Sequence, residues 1–130
     1  MSSSGTIEAA KISPRFDDTR DILYWYEGDS FSIEWYLQLI EDDTGEAHPY
    51  QSGDLLYVSF FDAKKQLVHR FTFTEIENNT IITTFTPTIS KKFTAGTYTY
   101  CIKYEWLDED NVKRIQTIID NKRARVEACH

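Results

Sequence analysis

Residues 97–107 read Thr-Tyr-Thr-Tyr-Cys-Ile-Lys-Tyr-Glu-Trp-Leu, and this stretch decides the fold because its side chains alternate in character. Successive side chains of an extended strand point to opposite faces. One face collects large apolar and aromatic groups: Tyr98, Tyr100, Ile102, Tyr104 and Trp106. The other face collects Thr97, Thr99, Cys101, Lys103 and Glu105. The alternation predicts a half-buried strand, and Asp108-Glu-Asp-Asn111 predicts a turn into a second hairpin arm over residues 112–119.

The same alternation of apolar and polar side chains recurs along the chain. Residues 30–41 alternate in the same way, with Phe31, Ile33, Trp35, Leu37 and Leu39 on one face. Further strands are predicted over residues 7–12, 22–26, 55–61, 67–74, 80–86 and 123–128. Asn78-Asn79 predicts a tight turn that pairs 80–86 with the preceding strand, because Asn tolerates the left-handed conformation. Residues 88–95 are the one segment in which a helical turn is expected.

These short strands predict an all-β protein, an antiparallel two-sheet sandwich of about seven to nine strands, with a closed barrel as the alternative. A length of 130 residues corresponds to one domain. We expect residues 1–6 to form a flexible leader and residues 7–130 to form the sandwich. With 41% hydrophobic residues, the chain has enough apolar surface for a core.

Charge and hydropathy exclude several partners. The formal charge is −7, from 14 Lys and Arg against 21 Asp and Glu. Nucleic-acid binding needs cations that neutralise phosphates, so no nucleic-acid partner is expected. No stretch reaches the roughly 20 apolar residues of a membrane helix, and the first residues do not form a secretory signal. We therefore expect a chain made in a cytoplasm, with no membrane partner.

No pattern in the sequence supplies catalytic chemistry. His48, His69 and His130 are not paired at zinc-ligand spacings, and nucleophile-elbow, P-loop and dinucleotide fingerprints are missing. The acidic runs at 41–43 and 108–111 do not fit the EF-hand spacing, so solvated turn carboxylates are favoured over calcium ligands. Cys101 and Cys129 are interpreted as free thiols, with a bridge left open. We expect no enzyme activity, no metal and no cofactor.

Aromatic side chains are the remaining functional lead. A chain with 15% aromatic residues must bury most of them, but some fall on positions predicted to face outward. Apolar groups exposed together on a sheet usually have a partner. The candidate interface consists of Tyr24, Trp25, Tyr26, Tyr36, Tyr57 and Phe61. A protein partner is favoured, and sugar stacking on the aromatic run at 24–26 is the alternative.

Several short motifs occur in a characteristic order. Gly28-Asp-Ser-Phe-Ser-Ile33 opens a long strand, and Asp42-Asp-Thr-Gly45 turns it. Then follow Asn79-Thr-Ile-Ile-Thr-Thr-Phe-Thr-Pro87, Phe93-Thr-Ala-Gly-Thr-Tyr-Thr-Tyr100, Ile115-Gln-Thr-Ile-Ile119 and Arg125-Val126. The series resembles the immunoglobulin-like domain at the N-terminus of tailed-phage upper baseplate proteins and of related small phage structural proteins. Asp120-Asn121 departs from it, because a glycine commonly stands there.

The resemblance implies an immunoglobulin-like sandwich that is assembled into a virion, and it implies no catalytic residues. We therefore expect a non-enzymatic phage structural protein of tail or baseplate type that docks to other virion proteins, with self-association as a further option. The expected location is the virion, after synthesis in the host cytoplasm. A carbohydrate-binding module and an extracellular adhesin-type immunoglobulin-like domain are the alternative functions.

Overall fold

The computed structural model of the chain describes residues 3–12, 15–17, 22–41, 50–107 and 110–128. The described residues form nine strands and one short helix in this order: β1 Ser3–Ile12, β2 Arg15–Asp17, β3 Ile22–Tyr26, β4 Phe31–Glu41, β5 Leu55–Phe61, β6 Leu67–Phe73, β7 Thr80–Phe85, α1 Pro87–Ser90, β8 Gly96–Leu107 and β9 Lys113–Glu127. The prediction of an all-β protein with two sheets is confirmed.

The larger sheet has six strands in the order β2-β3-β9-β8-β5-β6. At its centre the long strand β8 pairs antiparallel with both β5 and β9. The prediction of a purely antiparallel arrangement is wrong at one place, because β3 runs parallel to the end of β9, with Ile22 opposite Arg123 and Tyr26 opposite Glu127. Sequence alternation does not encode strand direction, since both kinds of pairing expose alternate faces.

The smaller sheet has three strands in the order β1-β4-β7. Its first strand includes part of the expected leader, since Ser3 lies opposite Glu41 and Thr6 lies opposite Gln38. Residues 3–6 of the expected leader thus form part of β1. The central strand β4 supplies backbone partners along this segment, and that pairing accounts for its extended course.

Aromatic rings fill the space between the two sheets. Trp35 of β4 lies with its ring centroid 5.5 Å from that of Tyr100 in β8. Phe60 of β5 is fully buried and lies 5.5 Å from Phe85 of β7. Because these pairs join strands of different sheets, the inner faces of the two sheets pack on each other as in a sandwich. The inward set of β8 is confirmed from Tyr98 to Tyr104.

The turn at Asn78-Asn79 is confirmed, with φ angles of 55° and 57° in the left-handed region. Its predicted role is wrong, because β7 does not pair with β6. Instead β7 pairs with β4, and Phe31 lies opposite Phe85. The turn thus carries the chain from the edge of the larger sheet into the smaller one. A hairpin turn fixes the local chain reversal, but burial of alternate residues decides which sheet the next strand joins.

The connection from β7 to β8 is fixed by side-chain hydrogen bonds to the backbone. Thr86 caps α1 by accepting a hydrogen bond from the Ile89 amide at 3.3 Å, and the buried Ser90 hydroxyl donates to the Asp29 carbonyl at 2.6 Å. At the start of β8, the Tyr98 hydroxyl donates to the Thr94 carbonyl at 2.6 Å. These bonds set the point at which β8 enters the larger sheet.

The last strand, β9, is a single strand, although two strands were predicted in this part of the chain. Residues 112–119 and 123–128 were predicted as separate strands, but β9 runs without a break from Lys113 to Glu127. Register shifts opposite Ile102 show where extra residues bulge out of β9. Asn121 lies at such a shift with a φ of 53°. The bulge interrupts the alternation of the sequence, which is why the pattern predicted a break.

Candidate functional site

The structure separates the six aromatic residues of the predicted interface into three groups. Trp25 belongs to the core, since 1% of its surface is exposed. Its ring centroid lies 5.2 Å from that of Phe85 and 5.6 Å from that of Phe93. The inclusion of Trp25 in an exposed interface or a sugar-stacking platform is therefore wrong. Leu23 has the same strand parity and is also buried, so this face of β3 points inward. The sequence does not mark that face, because Ile22 on the opposite parity is equally apolar.

Tyr36 lies on a different surface from the other candidates. It belongs to β4 and pairs with Thr80 of β7, on the side of the smaller sheet that faces away from the core. Its neighbours Trp35 and Leu37 are buried, and Tyr36 itself is half-buried. A partner that covers the larger sheet from outside therefore does not reach Tyr36.

The other four aromatic residues share the outward side of the larger sheet. Tyr24 and Tyr26 alternate with buried residues of β3, and Tyr57 and Phe61 alternate with buried residues of β5. Tyr26 is 44% exposed, and the other three are half-buried. We call this surface the outer face. It comprises Ile22, Tyr24, Tyr26, Leu55, Tyr57, Ser59, Phe61, Arg70, Thr72, Thr97, Thr99, Cys101, Lys103, Glu105, Leu107, Lys113, Ile115, Thr117, Asp120, Arg123, Arg125 and Glu127.

Hydrogen bonds and an ion pair hold the Tyr57 part of the outer face. The Arg70 guanidinium carbon lies 5.7 Å from the Tyr57 ring centroid, and Arg70 Nε donates to Ser59 Oγ at 2.8 Å. The Tyr57 hydroxyl donates to Glu105 Oε2 at 3.2 Å. Glu105 also pairs with Lys113 at 3.3 Å. Burial and the Glu105 carboxylate raise the pKa of the Tyr57 phenol, which keeps it a neutral hydrogen-bond donor.

A depression of about 590 Å³ opens on the outer face beside Phe61. Phe61, Thr97, Thr99 and Cys101 contribute to it from β5 and β8, and Lys65 lies in the turn after β5. Its remaining lining residues are Asp62, Ala63, Tyr98, Tyr100, Asp120 and Asn121. Burial raises the pKa of the Cys101 thiol, so the thiolate is disfavoured there. The depression can thus receive a side chain, and its cysteine is not activated as a nucleophile.

The outer face is richer in cations than the rest of the chain. Among the side chains that the structure describes, this face has five cations, Arg70, Lys103, Lys113, Arg123 and Arg125, and three carboxylates, Glu105, Asp120 and Glu127. The whole chain has a formal charge of −7. The acidic excess therefore lies elsewhere on the molecule. Sequence analysis named the alternating set of β8 but missed this concentration, because strand order is needed to bring Arg70, Lys103 and Arg123 together.

Chemistry at the described histidine does not resemble a catalytic site. His69 is half-buried at the sheet edge, its ring lies edge-on to Phe71 at 4.6 Å, and its Nδ1 is 3.1 Å from Lys92 Nζ. Burial and the Lys92 charge lower the pKa of His69. A histidine beside a cation is disfavoured as an imidazolium. His48 and His130 lie outside the described residues.

The described ranges contain neither a cluster of metal ligands nor a membrane-spanning helix. Among those residues, no group of three or more His, Cys, Asp or Glu side chains is placed to hold a metal ion. Of the acidic runs considered for calcium, residues 42–43 and 108–109 lie outside the described residues. Cys129 lies outside them as well, so the interpretation of Cys101 and Cys129 as free thiols stays a prediction. No helix in the described part of the chain is long and apolar enough to span a bilayer.

Comparison with protein-family models and with curated protein sequences finds no match to this chain. The fold and the outer face define a two-sheet β protein with an aromatic and cation-rich surface on its larger sheet.

Proposed function

We propose that this chain is a non-enzymatic structural protein of a phage virion, an immunoglobulin-like domain that docks to other virion proteins through the outer face of its larger sheet. The observation that carries the docking proposal is the outer face itself. It gathers four of the six aromatic candidates on one side of a six-stranded sheet, together with five cations and an open depression. Aromatic and arginine side chains are the groups most enriched at protein interfaces.

Strand order supports the immunoglobulin-like part of the proposal. In such sandwiches strands B and E lie in one sheet, while C, F and G lie in the other, with C′ added at the C edge in variable-type domains. Here β4 and β7 share the smaller sheet, and β9-β8-β5-β6 run consecutively in the larger one. This order corresponds to B and E in one sheet and to G-F-C-C′ in the other.

Two details at β8 and β9 add support. Immunoglobulin-like sandwiches often have a tyrosine near the start of strand F whose hydroxyl bonds to the backbone a few residues upstream. The bond from Tyr98 to the Thr94 carbonyl has this form. Asp120-Asn121, the departure from the phage-family pattern, places Asn121 at a positive φ. Asn is the non-glycine residue most tolerant of that conformation, so the substitution keeps the backbone requirement.

The docking proposal is tested by native mass spectrometry of the chain mixed with the products of its neighbouring genes. We expect a complex of fixed stoichiometry with at least one of them. Phe61→Ala should weaken that complex, and Tyr36→Ala should leave it unchanged, because Tyr36 lies on the opposite sheet. A chain that remains uncomplexed with every neighbour contradicts virion docking. Binding on a glycan array that is lost in Tyr24→Ala would instead establish the carbohydrate-binding alternative.

A further inference from the structure

We propose that the outer face binds an acidic segment of a partner protein, and that this segment places one apolar side chain in the depression beside Phe61. The inference rests on the proposed docking function and extends it by naming the chemistry of the partner.

The charge of the outer face makes it the surface most suited to bind an acidic segment. Five cations against three carboxylates give this face a positive balance, while the whole chain is at −7. The rest of the chain carries an excess of carboxylates, so charge favours the outer face as the place where an acidic segment binds. Complementary potentials of this kind guide a partner to one orientation and raise its association rate. A basic or neutral partner has no such reason to select this face.

Cations flank the depression, whose own lining holds one cation, Lys65, and two carboxylates, Asp62 and Asp120. Thr99, which lines the depression, lies between Phe61 of β5 and Arg123 of β9. Lys103 follows two residues after Cys101 on the same face of β8, and Lys65 lines the depression from its turn. An extended segment laid across β5, β8 and β9 would therefore place an apolar side chain against the Phe61 ring and carboxylates near the flanking cations.

The carboxylates of the outer face favour a protein partner over a nucleic acid. Glu105 pairs with Lys113 at 3.3 Å, and Glu127 pairs with Arg125 at 3.0 Å, so anions interrupt the cations. A nucleic-acid backbone has a phosphate at every nucleotide and is repelled at each such interruption. A protein segment can set its carboxylates only where cations lie.

The test uses the full chain, immobilised, to select peptides from a random-peptide display library. We expect the enriched peptides to combine Asp or Glu with one apolar residue. The double variant Lys103→Glu/Arg123→Glu should weaken the best peptide by about tenfold or more, because attractive exposed contacts become repulsive ones. Lys91→Glu is the matched control, since Lys91 is exposed, lies directly after α1 and is not part of the outer face. The Lys91→Glu variant should bind the peptide with the same affinity as the parent chain.

Other outcomes overturn the inference and can be told apart. If no peptide is enriched, or if the enriched peptides have no acidic residues, the proposal of an acidic partner is wrong. If such non-acidic peptides bind less well to Phe61→Ala, the outer face is still the docking surface. Displacement of the peptide by a mixed-sequence single-stranded oligonucleotide shows a nucleic-acid site instead. Sedimentation that shows self-association of the chain, lost in the double variant, identifies a second copy as the occupant. Failure of the virion-docking test above leaves the peptide result intact, so the two proposals fail separately.

Discussion

Two consecutive phenylalanines, Phe60 and Phe61, test whether alternation places one ring in the core and the other on the surface. Phe60 is fully buried, and its ring centroid lies within 6.2 Å of those of five other rings: Trp25, Phe71, Phe85, Phe93 and Tyr100. Phe61 is half-buried on the outer face. Phe60→Ala removes the ring from the centre of this cluster and leaves a cavity. Such substitutions cost about 3–5 kcal/mol, a large part of the roughly 5–15 kcal/mol that stabilises a domain.

Phe61→Ala removes the same atoms one residue further along and should cost about 1 kcal/mol, because part of that ring is already in water. Urea unfolding followed by tryptophan fluorescence measures both. With a slope of about 1–3 kcal/mol per molar urea, Phe60→Ala should lower the midpoint by about 2 M and Phe61→Ala by about 0.5 M. Equal losses in the two variants, or a larger loss for Phe61→Ala, would refute the assignment of the two faces.

Three further outcomes are expected. Thr83→Val removes the acceptor of the buried Trp35 indole N–H, now bonded at 3.0 Å, and should cost about 1–3 kcal/mol in the same urea assay. Tyr98→Phe removes the hydrogen bond to the carbonyl four residues upstream and should lower stability by about 1 kcal/mol, a loss that Tyr98→Trp would not restore. The pKa of His69 is lowered by burial and by Lys92. The stability that depends on neutral His69 is therefore fully present above the unfolded pKa of about 6.5 and is lost as pH falls below that value. A His69→Gln variant whose urea midpoint has the same pH dependence as the parent chain would contradict this assignment.

Much of the fold could be predicted from the sequence because alternation identifies a strand without knowledge of its neighbours. The strand at residues 55–61 was predicted with the bounds that β5 has, and the inward set of β8 was correct from Tyr98 to Tyr104. The pairing partner is a different kind of information. Residues 80–86 show a clear strand pattern, yet nothing local indicates that β7 pairs with β4 in the other sheet.

The site was harder to predict than the fold. The run Tyr24-Trp25-Tyr26 is aromatic on both faces, so composition alone does not show which face is buried. Ile22 and Leu23 precede the run on opposite faces and are both apolar, so only the packing of Leu23 and Trp25 in the structure assigns Trp25 to the core. Arg70 stands between His69 and Phe71 in the sequence, and nothing there indicates that it packs over Tyr57. The outer face exists only after five strands are ordered side by side, which no local pattern specifies.

The measurement that tests the docking surface most directly is site-specific photo-crosslinking in the assembled complex. A photoreactive phenylalanine analogue is placed at Phe61 in one variant and at Tyr36 in another, so that the same probe reports from opposite sides of the sandwich. We expect the probe at residue 61 to join the chain to a virion protein and the probe at residue 36 not to do so. Crosslinks from residue 36 alone would place the partner on the smaller sheet and contradict docking through the outer face.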